Sequence, residues 1–149
     1  MRNTSQIGEV SRTQVMAALA RSGQRVLVPL ADYQRYDLVI DEGGRFLRVQ
    51  VKTGRLHNGA VVFNPCSIDS RSKAGGCVRK GYADQIEFFG VYCPETNKCY
   101  LVPVGDAPTN TCSLRIDPPQ NGQKALIRWA GPYEIGEGVE LAGFEPATS

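Results

Sequence analysis

Four polar residues near the start of the chain have the types and spacing that phosphodiester hydrolysis requires: Glu9, Asp37, Gln50 and Lys52. Asp37 lies near the start of an otherwise apolar stretch, Tyr36-Asp37-Leu38-Val39-Ile40. Gln50 and Lys52 are two residues apart on a strand, so their side chains share a face. The turn cluster Asp41-Glu42-Gly43-Gly44 folds the two stretches into an antiparallel hairpin and brings residue 37 near residue 48 or 50. Hydrolysis of a phosphodiester needs a cation to neutralise the phosphate and activate a water. Magnesium takes oxygen ligands, often only one or two carboxylates with several waters. Asp37 supplies a carboxylate, Gln50 a neutral amide oxygen and Val51 a main-chain carbonyl, while Glu9 can bind directly or through a water. Lys52 can orient the attacking water and offset charge in the transition state. Glu9, Asp37 and Lys52 sum to a formal charge of −1. The same residues also suit plainer duties: Asp37 a strand-end cap, Gln50 and Lys52 a wet strand face, Glu9 an acid in a first helical turn. The pattern alone leaves both readings open.

The elements that must carry these groups are legible from periodicity. Ser5 to Arg21 predicts a helix with Ile7, Val10, Val15, Ala18 and Leu19 on one broad side, capped from Asn3, Thr4 or Ser5 and ended by Gly23. Glu9 lies off that side, in a row with Thr13, Met16 and Ala20 suited to facing a cleft. Strands are expected over Arg25–Leu30, Tyr36–Ile40, Arg45–Thr53 and Ala60–Asn64, with a turn over Gly54–Asn58. Pro65 to Gly81 is polar and glycine-bearing and reads as a mobile loop, with a short helical turn over Tyr82–Ile86. Phe88–Cys93 and Cys99–Val104 form a second hairpin. Leu114–Ile116 and Ala125–Trp129 read as edge pieces. Residues 1–135 then make one domain, and 136–149 a flexible tail.

Composition sets the outer bounds. A chain of 149 residues with 42% hydrophobic and 21% charged residues is an ordinary single domain. No run approaches the roughly eighteen apolar residues of a membrane span, and the segment Met1–Gln6 lacks the apolar core of a signal peptide. A single His excludes a multi-histidine metal centre, and five Cys in no zinc spacing point to reduced thiols in the cytoplasm. Cys93 and Cys99 flank a five-residue turn and could face each other as packed thiols. Arg45 to Lys80 holds eight basic residues against one acid, and residues 1–128 carry 17 basic and 11 acidic groups, a net +6. That layout suits a polyanionic partner, nucleic acid first.

The run Ile7-Gly8-Glu9, then Arg35-Tyr36-Asp37-Leu38-Val39-Ile40, then Arg48-Val49-Gln50-Val51-Lys52-Thr53-Gly54-Arg55 resembles the PD-(D/E)XK nuclease superfamily. With Phe88–Thr96 and Tyr100–Val104 it looks closest to the group I intron homing endonuclease branch, over roughly residues 5–130. The resemblance implies an α/β (α+β) fold: a mixed β-sheet flanked by helices, with an added C-terminal hairpin. It implies cleavage of double-stranded DNA with Mg2+, one or two ions per site and Mn2+ able to substitute. By position, Glu9 matches the helix glutamate, Asp37 the motif aspartate, Gln50 its variable acid and Lys52 its lysine. Tyr36 stands where the motif has Pro. Gln50 stands where most of the superfamily has an acid; the intron branch resembles this sequence in using Gln there, and the change removes one ligand charge. One small domain offers a short DNA footprint, so a homodimer or homotetramer is implied.

Arg35, Arg55 and His57, with Arg71, Lys73, Arg79 and Lys80 in the glycine-bearing loop, are the candidate phosphate contacts. The plainer readings are a solvent-exposed turn for His57 and a solvated face for Arg55. Three further readings compete: a structure-specific nuclease that resolves DNA junctions, a catalytically silent DNA-binding module of the same fold, and a structural protein without a nucleic-acid partner.

Overall fold

The computed structural model describes residues 3–31, 35–65, 67–68, 77–78, 85–108, 110–119, 121–122 and 127–136. Helix α1 spans Thr4–Arg21. Asn3 caps it reciprocally: its side chain accepts from the Gln6 N–H at 2.9 Å, and the Gln6 side chain accepts from the Asn3 N–H at 3.0 Å. Gly23, at φ +93°, lets the chain leave the helix. Ser11, Val15, Ala18 and Leu19 form its buried side, whereas Ile7 stays 40% exposed.

Among the described residues ten strands follow: β1 Arg25–Leu27, β2 Leu38–Asp41, β3 Phe46–Thr53, β4 Arg55–His57, β5 Ala60–Phe63, β6 Ser67–Ile68, β7 Cys77–Val78, β8 Phe88–Cys93, β9 Lys98–Pro103 and β10 Cys112–Arg115. The main sheet has the order β1-β2-β3-β8-β9, with β3 and β8 parallel and the other pairs antiparallel. A second sheet has the order β10-β5-β4. Two core layers result. On one face Val15 and Leu19 of α1 pack on Leu38, Ile40, Leu47, Val49 and Tyr92. On the other, Phe89, Val91 and Tyr100 pack on Val61 and Phe63 of β5 and Cys112 and Leu114 of β10. β8 lies between the layers and every one of its residues is buried, which is why its sequence is an unbroken apolar run. Gly90 permits that packing. A Cβ there would lie 2.8 Å from Val15 Cγ1 and 3.0 Å from Val49 Cγ1.

The fold is the expected mixed α+β arrangement, with differences in detail. Among the described residues α1 is the full helix, Gln85 is also helical, and single 3-10 turns lie at Val104–Asp106 and Gly131–Tyr133. The first strand stops at Leu27: Pro29 has no N–H to pair, and Leu30 is fully exposed. The expected turn over Gly54–Asn58 is instead strand β4, joined to β5 by Asn58 and Gly59, at φ +49° and +77°. These are the left-handed conformations of a tight hairpin turn. The edge piece expected at Leu114–Ile116 is Cys112–Arg115, and Trp129 bridges to Arg115 in parallel. Cys93 and Cys99 do not face each other. Cys93 pairs with Lys98 and Cys99 with Tyr92, so alternation sends the two thiols into opposite core layers. Of the Pro65–Gly81 loop, β6 and β7 pair antiparallel. Cys66, residues 69–76 and 79–84 (most of the Tyr82–Ile86 turn among them), the start of the Ala125–Trp129 piece and the tail beyond Gly136 lie outside the described residues.

Candidate active site

Asp37 sits one residue before β2, at the point where the β2–β3 ladder ends. The register Leu38↔Val49 extends to place Asp37 opposite Gln50, settling the choice between residues 48 and 50. The Asp37 N–H donates to the Val49 carbonyl at 2.8 Å, and Asp37 Oδ2 accepts from the Val51 N–H at 2.8 Å. One main-chain bond and one side-chain bond therefore fix the carboxylate on the β3 edge. In an extended strand a residue's N–H and C=O point to the same edge, so the Val51 carbonyl points toward the edge that Asp37 occupies.

Leu47 and Val49 pack toward α1. Alternation along β3 then places Val51 and Thr53 on the helix side, and Gln50 and Lys52 on the face turned to the second sheet. Gln50 Oε1 is buried and accepts no hydrogen bond. Burial pushes the Lys52 ammonium below the ordinary lysine value, and the nearby Asp37 carboxylate opposes that shift. Lys52 and Asp37 thus feel each other's charge.

On the opposite side, the buried Ser11 hydroxyl hydrogen-bonds the Thr53 hydroxyl and seats α1 over the end of β3. Glu9, Arg12, Tyr36, Asp37 and Val51 line a cavity of about 410 Å³ there. Glu9 is exposed and reaches the same edge as Asp37 from the helix side. The structure therefore gathers all four candidate residues around one sheet edge, with Asp37 on the edge, Gln50 and Lys52 on one face and Glu9 on the other.

The donor set suits a hard cation. Asp37, Gln50, Val51 and Glu9 offer only oxygens, and the buried Gln50 oxygen lacks the donor that a cation would replace. No group of three or more His, Cys, Asp or Glu is placed to hold a metal among the described residues, so any cation here would depend on two acids and neutral oxygens.

Of the candidate phosphate contacts, Arg55 and His57 are exposed on β4, which follows β3 after Gly54. A Cβ at Gly54 would lie 2.9 Å from Val61 Cγ1 and 3.0 Å from Val91 Cγ1, so this glycine is needed for close passage between the sheets. Arg35 is exposed two residues before Asp37. Arg71, Lys73, Arg79 and Lys80 lie outside the described residues. Arg12 was not legible as a site residue, although its i, i+3 spacing from Glu9 was a usable signal.

A family model described as PD-(D/E)XK endonuclease matches residues 2–136. The chain belongs to that family, whose members cut nucleic acid and generally use divalent metals. Among solved structures, the bacterial homing endonuclease I-Ssp6803I shares the fold: 24% identity, 90% of this chain and 88% of that chain covered, and a TM-score of 0.62. No curated protein matches the chain. Among the described residues no helix is long and apolar enough to cross a membrane.

Proposed function

We propose that the chain is a Mg2+-dependent endonuclease of double-stranded DNA, resembling homing endonucleases in its site and acting as a homodimer or homotetramer. The observation that carries this reading is the Asp37 carboxylate braced on the Val51 N–H, in register with Gln50, whose Oε1 is buried without a donor, and near enough to Lys52 to act on its charge. Asp37, Gln50 Oε1 and the Val51 carbonyl would hold the cation, with Glu9 direct or through a water. The cation would supply Lewis acidity toward the phosphate and ease deprotonation of water. Lys52 donates hydrogen bonds to the attacking water or to a phosphoryl oxygen and offsets charge in the transition state. The exposed Arg55 and His57 on β4, with Arg35, engage neighbouring phosphates, and the basic residues 71, 73, 79 and 80 extend that contact. The test is nicking of supercoiled plasmid with Mg2+ and with EDTA, for wild type and Lys52→Ala. Nicking that needs both Mg2+ and Lys52 is the expected result. Equal nicking by Lys52→Ala would remove the assignment.

One observation favours a second reading, a catalytically silent DNA-binding module. The third acid is absent, since Gln50 stands where most of the superfamily has a carboxylate. Salt-sensitive DNA binding without nicking in either Mg2+ or Mn2+ would select it.

A further inference from the structure

Arg12 lies on α1 one turn beyond Glu9 and lines the same cavity as Glu9 and Asp37. It is half-buried, yet it makes no hydrogen bond or ion pair with any described residue, and neither acid lies within ion-pair distance of it. A guanidinium in a cavity with two carboxylates commonly pairs with one of them. This one is held apart, so its donors stay available to a ligand. Gly8 also lines the cavity, and a Cβ there would meet nothing within 4 Å, so the space beside it is open.

The charge arithmetic agrees. Glu9 and Asp37 against Lys52 leave −1, which would repel a phosphate before any cation is bound. With Arg12 included the four groups sum to zero. Lys52 and Arg12 then flank the Asp37 edge from opposite faces of the sheet, one on each side. A nucleic-acid backbone crossing that edge would then meet Arg12 from the helix side.

Resting on the nuclease reading above, we infer that Arg12 is a positioning residue that grips a backbone phosphate next to the one at Asp37, in the subsite formed by Arg12, Gly8 and Glu9 on the helix side. A planar guanidinium binds two phosphate oxygens at once, which sets the register of the strand as well as its affinity.

The experiment measures binding of a fluorescein-labelled 20-base-pair DNA duplex of arbitrary sequence by anisotropy, in EDTA, over a salt series. The proteins are wild type, Arg12→Gln, Arg12→Lys and Gly8→Leu. Arg12→Gln should bind about tenfold more weakly, with the salt slope reduced by about 1. Its Tm should change little, because Arg12 makes no side-chain hydrogen bond or ion pair and glutamine keeps much of the packed stem. Arg12→Lys should recover the salt slope, while single-turnover nicking in Mg2+ stays below wild type because the two-point grip is gone. Gly8→Leu, the better helix former, should weaken binding by filling the subsite without altering charge. Wild-type binding with an unchanged slope in Arg12→Gln and unchanged affinity in Gly8→Leu would overturn the subsite alone. Absence of any DNA binding by wild type would overturn the nuclease reading and this subsite with it.

Discussion

Gln50→Leu separates the stability of the site from its chemistry. Gln50 Oε1 is buried with no donor, and a buried acceptor without a partner costs about 1–3 kcal/mol. Leucine has similar bulk and removes that acceptor. Part of the gain is offset, because an apolar neighbour deepens the burial that already lowers the Lys52 pKa. A net stabilisation of about 1 kcal/mol remains, equivalent to about 3 °C in Tm for a chain of this size. In EDTA, Gln50→Leu should therefore melt higher than wild type. Adding Mg2+ reverses the order of response. A ligand at ten times its Kd stabilises the folded state by about 1.4 kcal/mol, and Gln50→Leu, lacking one of the proposed ligand oxygens, should gain less than wild type. Thermal unfolding by circular dichroism, in EDTA and across a Mg2+ series, reads both effects, with plasmid nicking run alongside. A lower Tm in EDTA, or an equal Mg2+ gain in both proteins, would refute the placement of Gln50 at the cation site. Nicking by Gln50→Leu at the wild-type rate would do the same.

Lys52 is depressed below its ordinary value of 10.5 by burial. Between the lowered value and 10.5 the unfolded chain binds more protons than the folded one, so stability rises with pH across that window. Lys52→Met should flatten the rise in denaturant titrations taken from neutral to alkaline pH, and an unchanged pH profile would count against the shift. Nicking that uses the charged ammonium should decline with rising pH before 10.5 is reached, as pH–rate curves will show. Gly90→Ala forces a methyl against Val15 and Val49 at 2.8 and 3.0 Å and should cost about 1–3 kcal/mol by urea unfolding. Replacing Arg71, Lys73, Arg79 and Lys80 together with Ala should flatten the salt dependence of DNA binding; a slope equal to wild type would show that these residues do not touch phosphate.

The hairpin that carries Asp37, Gln50 and Lys52 was legible because its determinants are local. Period-two alternation places Gln50 and Lys52 together, and the short turn at Asp41–Gly44 limits the register to two choices. The choice of Gln50 over Arg48 as the partner of Asp37 needed the ladder itself, which is fixed by packing of Leu38, Ile40, Leu47 and Val49 on α1. The β4–β5 hairpin was missed although Asn58-Gly59 is a strong local signal. The glycine at 54 read as a turn, whereas its role is close passage between two sheets, a long-range effect. Arg12 escaped notice because a helical wheel reports distance from the apolar side. It does not report which strand end the polar side will meet. Cys93 and Cys99 misled for the opposite reason. Their spacing suggested a facing pair, but the register offsets them by one residue and alternation divides them.

Asp37→Asn offers the most direct test of the site. Asparagine keeps the shape and can still accept the Val51 N–H, so the hairpin should remain intact. What it removes is the charge that would hold the cation. The measurement is the single-turnover rate of nicking of supercoiled DNA in Mg2+, set beside DNA affinity in EDTA for the same two proteins. Loss of nicking is expected, with affinity equal to or tighter than wild type, since one acid facing the phosphate is gone. Nicking by Asp37→Asn at the wild-type rate would contradict it.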